Sequence, residues 1–375
     1  METMQQTPLL GATTASSQPW VYAAWLDGIF ILSPPFVALL IIAFNPAMFS
    51  GANATVNTAW WLVLVILIDV AHVYATVYRT YFDTAAVKAN RLLFYGMPAL
   101  AYVGGVALYC CGPGVFWRVL AYLAVFHFIR QQYGFLRIYV RKDLQARWMQ
   151  KIDTIAIYAA TVYPLLYWHL KGPRNFDWFM KNDFYYFHHE SWLKTLTIAY
   201  LIVLIVYACK EIMLFVATKQ INIPKQLLVL GTISSWYFGI VYFNGDLAFT
   251  LLNVVSHGIP YMALVWAYGR KRYYAPSQRS GFLSLVFSNY GILLFIGIIA
   301  LFAYVEEGFW DSWMWQEHGS LFTLFSEMQP LESNWAIILL VPLLAMPQFT
   351  HYLLDGFIWK INKDKYNWKD STLQP

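Results

Sequence analysis

An all-α, polytopic integral membrane bundle of about ten transmembrane helices is the architecture expected of this chain, on three grounds. Of its 375 residues, 59% are hydrophobic and only 12% charged, whereas a soluble domain carries about 25% charged residues. Apolar runs long enough to cross a bilayer, roughly 20 residues each, recur along the whole chain. The segments between them alternate between basic and neutral or acidic.

The runs read as helices at about 20–46, 57–82, 90–111, 114–140, 150–170, 192–217, 223–243, 246–269, 282–304 and 334–361. Pro34-Pro35 must kink or break the first, because proline removes a backbone donor. Pro164, Pro260, Pro342 and Pro347 are expected to break helices in the same way.

Basic residues follow every second run: Arg79, Lys88 and Arg91; Arg137, Arg141, Lys142 and Arg147; Lys210, Lys219 and Lys225; Arg270, Lys271, Arg272 and Arg279; Lys360, Lys363, Lys365 and Lys369. The opposite connections carry Glu306, Glu307, Asp311, Glu317, Glu327 and Glu332. The positive-inside rule then places the N- and C-termini in the cytoplasm. Residues 1–19 form a polar N-terminal tail without the basic region of a cleaved signal peptide. Residues 20–361 form one transmembrane domain, and 362–375 a cytoplasmic tail. A bacterial inner membrane is the expected location. The net charge of +5 is dispersed over short connections, so no nucleic acid is expected as a partner.

Two outer segments, 172–190 and 308–328, are rich in aromatic residues and suit interfacial loops or short amphipathic helices. An aromatic belt is the expected role for both, ahead of a substrate lid. His169, His188, His189 and His318, in or beside them, are expected to be solvated. Cys110, Cys111 and Cys209 match neither a disulfide framework nor a zinc knuckle.

The chemistry lies in the other four histidines. Each sits alone in an apolar run with a carboxylate or carboxamide one helical turn away: His72 with Asp69, His127 with Gln131, His257 with Asn253, and His351 with Gln348 and Asp355. Charged groups at mid-membrane cost at least roughly 2.5 kcal/mol each and mark functional sites. Counted from the outer ends of their runs, the histidines lie about 15, 13, 11 and 17 residues in. At a rise of about 1.5 Å per residue these depths agree within roughly 10 Å, so one shared layer is expected.

Such a layer suits a metal ion. Imidazoles with Asp favour iron, with zinc as the alternative and copper also compatible, and no membrane-embedded cysteine pair supports an iron–sulfur cluster. Facing histidines also suit axial ligation of haem. His72, His127, His257 and His351 are the expected metal ligands. Asp69 and Asp355 would ligate, orient the rings or carry protons. Gln131 would hydrogen-bond an oxygen ligand of the metal. Arg130, with Arg79 and Arg137, belongs to a cationic layer on the inner side, where it would stabilise an anionic headgroup or oxyanion.

The segments DVAH (Asp69–His72) and FHF (Phe126–Phe128), in a multi-span chain with one histidine per helix, resemble the Brp/Blh family of membrane β-carotene dioxygenases. The resemblance implies non-haem iron and oxygenase chemistry, with His72 and His127 as the matching ligands. The expected function is therefore a membrane-embedded metal-dependent oxidoreductase acting on a hydrophobic, lipid-like substrate, with an electron-donor protein as a possible partner. Two alternatives use the same residues: a zinc-dependent intramembrane lipid hydrolase, and a proton-coupled transporter. A non-catalytic assembly role is a third.

Overall fold

The computed structural model describes residues 18–49, 54–143, 145–274 and 281–359. Most of the two expected tails lies outside the described residues, as do Arg279, Lys360, Lys363, Lys365 and Lys369. Among the described residues all regular structure is helical. The long helices are α1 (Ala24–Leu32) and α2 (Pro34–Phe44), α3 (Thr58–Arg79), α4 (Arg91–Cys110), α5 (Pro113–Tyr139), α6 (Arg147–Lys171), α7 (Glu190–Thr218), α8 (223–242), α9 (Asp246–Tyr273), α10 (Ile292–Trp315) and α11 (Asn334–Ile358).

Each expected apolar run is thus helical, and the Pro34-Pro35 break appears as a 53° bend between α1 and α2. Six helices (α3, α4, α7, α9, α10 and α11) are long and apolar enough to cross a membrane, or seven with the bent pair. The chain has the character of a multi-pass membrane protein.

Local chemistry accounts for several helix starts. Asn57 accepts from the Trp60 N–H, and Asn222 from the Lys225 N–H. Three expectations fail. Pro164, Pro260 and Pro342 lie inside α6, α9 and α11 without ending them. The ninth run is interrupted: a short helix, Phe282–Val286, precedes a break ending at Gly291. A Cβ at Gly291 would meet the Val286 carbonyl oxygen at 2.0 Å, so only glycine closes that turn. Beyond 304, α10 continues through Glu306, Glu307 and Asp311 to Trp315, so the acidic pair is helical rather than part of a loop.

The basic connections gather at one end of the bundle. Arg272 pairs with Asp83 at 3.2 Å and Lys225 with Asp143 at 3.4 Å, while Arg79 donates to the Ile358 carbonyl. Lys210 and Lys225 are not free loop cations, however. They are buried against Asp153, Glu211 and Asp143, as a charge in a low-dielectric interior requires. At the other end Asn175 meets Asn244, and Arg118 meets the 172–190 segment at Asn182. Helix α9 is central: 72% of its apolar window is buried, against 11% for α7. Helix α7 presents Ile198, Ile202, Ile205 and Ile212 outward, a surface suited to lipid.

Candidate metal centre

Four helices deliver the four histidines to one point. His72 on α3, His127 on α5, His257 on α9 and His351 on α11 are each 1–5% exposed. One ring nitrogen from each lies within 4.8 Å of all the others. His72 and His257 approach Nε2 to Nε2 at 3.1 Å, and so do His127 and His351. The rings close a cycle, edge to face, with centroid separations of 4.7 Å (72–257), 4.9 Å (257–127), 4.6 Å (127–351) and 5.0 Å (351–72).

These separations suit a shared ion. With metal–nitrogen bonds of about 2.0–2.1 Å, neighbouring ligand nitrogens lie roughly 3 Å apart, close to the two 3.1 Å contacts. A porphyrin must fit between its axial imidazoles, and four nitrogens this close leave no room for one. This spacing suits a bare ion better than a haem. Nitrogen donors without sulfur fit zinc, copper or iron.

One hydrogen-bonded chain sets the tautomer of His351. The Tyr261 hydroxyl donates to Asp355 Oδ1 at 2.7 Å. Its oxygen must then accept at its 2.8 Å contact with Thr76 Oγ1, which uses the single threonine proton. Thr76 can therefore only accept from His351 Nδ1, 2.7 Å away. His351 carries its proton on Nδ1 and turns the Nε2 lone pair into the cluster, as a metal ligand must. Asp355 Oδ2 also lies 3.8 Å from His127 Nε2. Thr76 and Tyr261 follow His72 and His257 by four residues each, so each shares a helix face with its histidine.

The remaining site residues divide. Asp69 Oδ1 lies 3.7 Å from His72 Nδ1. Gln131 Nε2 donates to the His257 carbonyl at 2.9 Å and ties α5 to α9, while its Oε1 is buried without a partner among the described residues. Arg130 is exposed, donates to the Tyr158 hydroxyl at 2.6 Å and covers the Tyr133 ring. Arg79 is buried between Tyr268 and Trp359. Phe128, absent from the expected site, stacks on His257 at 3.5 Å with rings nearly parallel.

A cavity of about 750 Å³ adjoins the cluster. Asp69, Phe128, Asn253, Gln348 and Tyr352 line its floor, and the aromatic segments its other walls. The 172–190 segment is held in shape by Asp183, which accepts from the N–H groups of Trp178, Phe179 and Met180. Burial raises the Asp183 pKa, against those hydrogen bonds. His169 is a correction to the solvated reading: it is buried, bonded to Tyr122 and the Leu165 carbonyl, and covered by Phe184. His318 is half-buried and stacks on Trp61 at 4.0 Å. His188 and His189 are exposed as expected.

No protein-family model matches this chain, and neither a curated protein nor a solved structure is detectably similar to it.

Proposed function

We propose that the chain is a membrane-embedded, metal-dependent oxidoreductase acting on a hydrophobic, lipid-like molecule, with His72, His127, His257 and His351 holding iron. In this reading the bundle crosses a bacterial inner membrane ten times with both termini in the cytoplasm. The observation that carries it is the meeting of four buried imidazoles from four helices beside a cavity of about 750 Å³.

Coordination number favours iron over hydrolytic zinc. Catalytic zinc keeps a position open beside three protein ligands, and four imidazoles would saturate a tetrahedral ion. A six-coordinate iron keeps two positions. When bound, iron supplies the one-electron and O₂ chemistry that unactivated C–H or C=C bonds require. The Brp/Blh-like segments around His72 and His127 point the same way.

The protein's own groups would do the rest. Thr76, Tyr261 and Asp355 hold the His351 ring and its proton. Phe128 and Tyr352 cover His257 and His127 on the cavity side, excluding bulk water and offering apolar contact to a substrate.

Elemental analysis of the full chain purified in detergent, with each of the four histidines changed in turn to Ala, tests the reading. The expected result is stoichiometric iron in the parent and its loss from every variant. Zinc in place of iron would move the reading to the hydrolase. Full metal retention by any one variant would remove that residue from the site.

A further inference from the structure

The cavity beside the histidines is walled by carboxylates without basic partners. Asp69, Glu306, Glu307 and Asp311 line it from α3 and α10. Asp177, Asp246 and Glu317 line it from the loops and the start of α9. Among the described residues none of these seven forms an ion pair with Lys or Arg. Only Arg174 and Lys181 oppose them on the lining. Arg174 is spent on the Val241 and Phe243 carbonyls, and Lys181 acts on Asp177 at longer range.

Some of these acids have other partners. Glu306 accepts from the Tyr74 hydroxyl and the Trp310 indole, and Asp311 from the N–H groups of Glu317 and His318. Glu307 has neither hydrogen bond nor ion pair, although it is only 9% exposed. Independently of the acids, Asn253 lines the same cavity, is 4% exposed, and leaves its Oδ1 without a donor. Buried oxygens without donors are costly unless a cation meets them, and oxygen donors are what a hydrated divalent cation accepts.

The histidines need such a route, because each is at most 5% exposed. The cavity lining touches three of them through neighbours: Asp69 lies 3.7 Å from His72 Nδ1, Phe128 stacks on His257, and Tyr352 lies against His127. We propose that the cavity is a cation-binding vestibule, in which a divalent metal ion collects among Glu306, Glu307, Asp311 and the Asn253 Oδ1 and passes by Asp69 to the four imidazoles. The proposal rests on the histidines being a metal site. A cleft lined by one sign of charge raises cation on-rates by about 10–10³-fold, with steep dependence on ionic strength.

The test is stopped-flow loading of Co²⁺ into the full chain, stripped of metal in detergent and followed by the visible bands of histidine-bound Co²⁺. Loading of the parent should slow several-fold as NaCl rises. Glu307→Gln with Asp177→Asn should load at least tenfold more slowly, with weaker salt dependence and the same final spectrum. A salt-independent rate in the parent overturns the vestibule without any variant, and so does an unchanged rate in the double variant. If tetramethylammonium blocks loading and Glu307→Gln lifts the block without slowing Co²⁺, the cavity belongs to an organic cation and the metal route is refuted. A parent that gives no histidine-bound Co²⁺ spectrum sinks the metal site itself, a failure distinct from the others.

Discussion

Adding a single methyl group at Gly258 is the most informative perturbation of the site. Gly258 follows His257 on α9 and faces α3. A Cβ there would lie 2.8 Å from Ile68 Cγ2, 3.0 Å from the Ile68 carbonyl oxygen and 3.5 Å from His72 Nδ1. The Ile68 side chain can rotate away, but its carbonyl belongs to the helix that carries His72 one turn later. Relief to ordinary contact at 3.4 Å therefore moves α3 from α9 by roughly 0.4 Å, if 3.4 Å is taken as the limit of contact. The movement acts at the histidine pair now 3.1 Å apart.

Metal–ligand distances tolerate only about 0.2 Å of error, so Gly258→Ala should weaken metal retention by about 10–100-fold, the usual cost of disturbing ligand support. The sign is diagnostic. Gly→Ala in a helix interior is ordinarily stabilising by about 1 kcal/mol, whereas overpacking here should cost about 1–3 kcal/mol. The assay is residual metal after equilibration with a competing chelator, read beside the thermal unfolding midpoint. Gly297→Ala on α10, where a Cβ meets nothing within 4 Å, is the control. Parental chelator resistance in Gly258→Ala, or equal losses in both variants, would refute the close approach as the device that sets the ligand spacing.

Three further outcomes are expected. Thr76→Val removes the oxygen between His351 and Tyr261 while keeping the side-chain volume; metal retention should fall about 10–100-fold and recover in Thr76→Ser, measured by the same chelator competition. Arg130→Gln should leave metal content at the parental value by elemental analysis, because that guanidinium faces Tyr158 and Tyr133; metal loss there would contradict its outward orientation. Asp183 is raised by burial, so its ionisation opposes the folded loop: the stability it lends is present at low pH and is lost as pH rises through the raised pKa. Asp183→Asn keeps an acceptor for the three N–H groups without the charge and should flatten that pH dependence, whereas Asp183→Ala should cost about 1–3 kcal/mol for donors left unpaired. Limited proteolysis of the 172–190 segment across pH reads both.

What the sequence makes legible here is whatever repeats with helical period. The apolar runs supply the long helices, and the depth count brings four histidines together because four of those runs carry one imidazole each at a similar distance from the end. Which flank of a helix meets which neighbour is a different quantity. Arg130 and Gln131 follow His127 by three and four residues, on opposite edges of one face. Spacing treats them alike, yet α9 lies on the Gln131 side and Arg130 turns outward. Segments without period are illegible for a related reason. His169 reads as solvated beside polar residues, but the 172–190 chain folds back, donating the Phe187 N–H to the His169 carbonyl and laying Phe184 against the ring.

Glu306 and Glu307 mark the end of an apolar run, and hydropathy alone cannot separate the end of a run from the end of a helix. Their helical continuation is what carries two carboxylates into the wall of a cavity rather than into a loop. The four imidazoles thus come from periodic helices, where depth and face recur with the helical repeat. Their surroundings come from close approaches and from irregular chain: Gly258 against Ile68, Thr76 between His351 and Tyr261, and the aromatic segments over the cavity. Which imidazoles meet can therefore be read along the chain, while the contacts that position them arise only where non-adjacent segments touch.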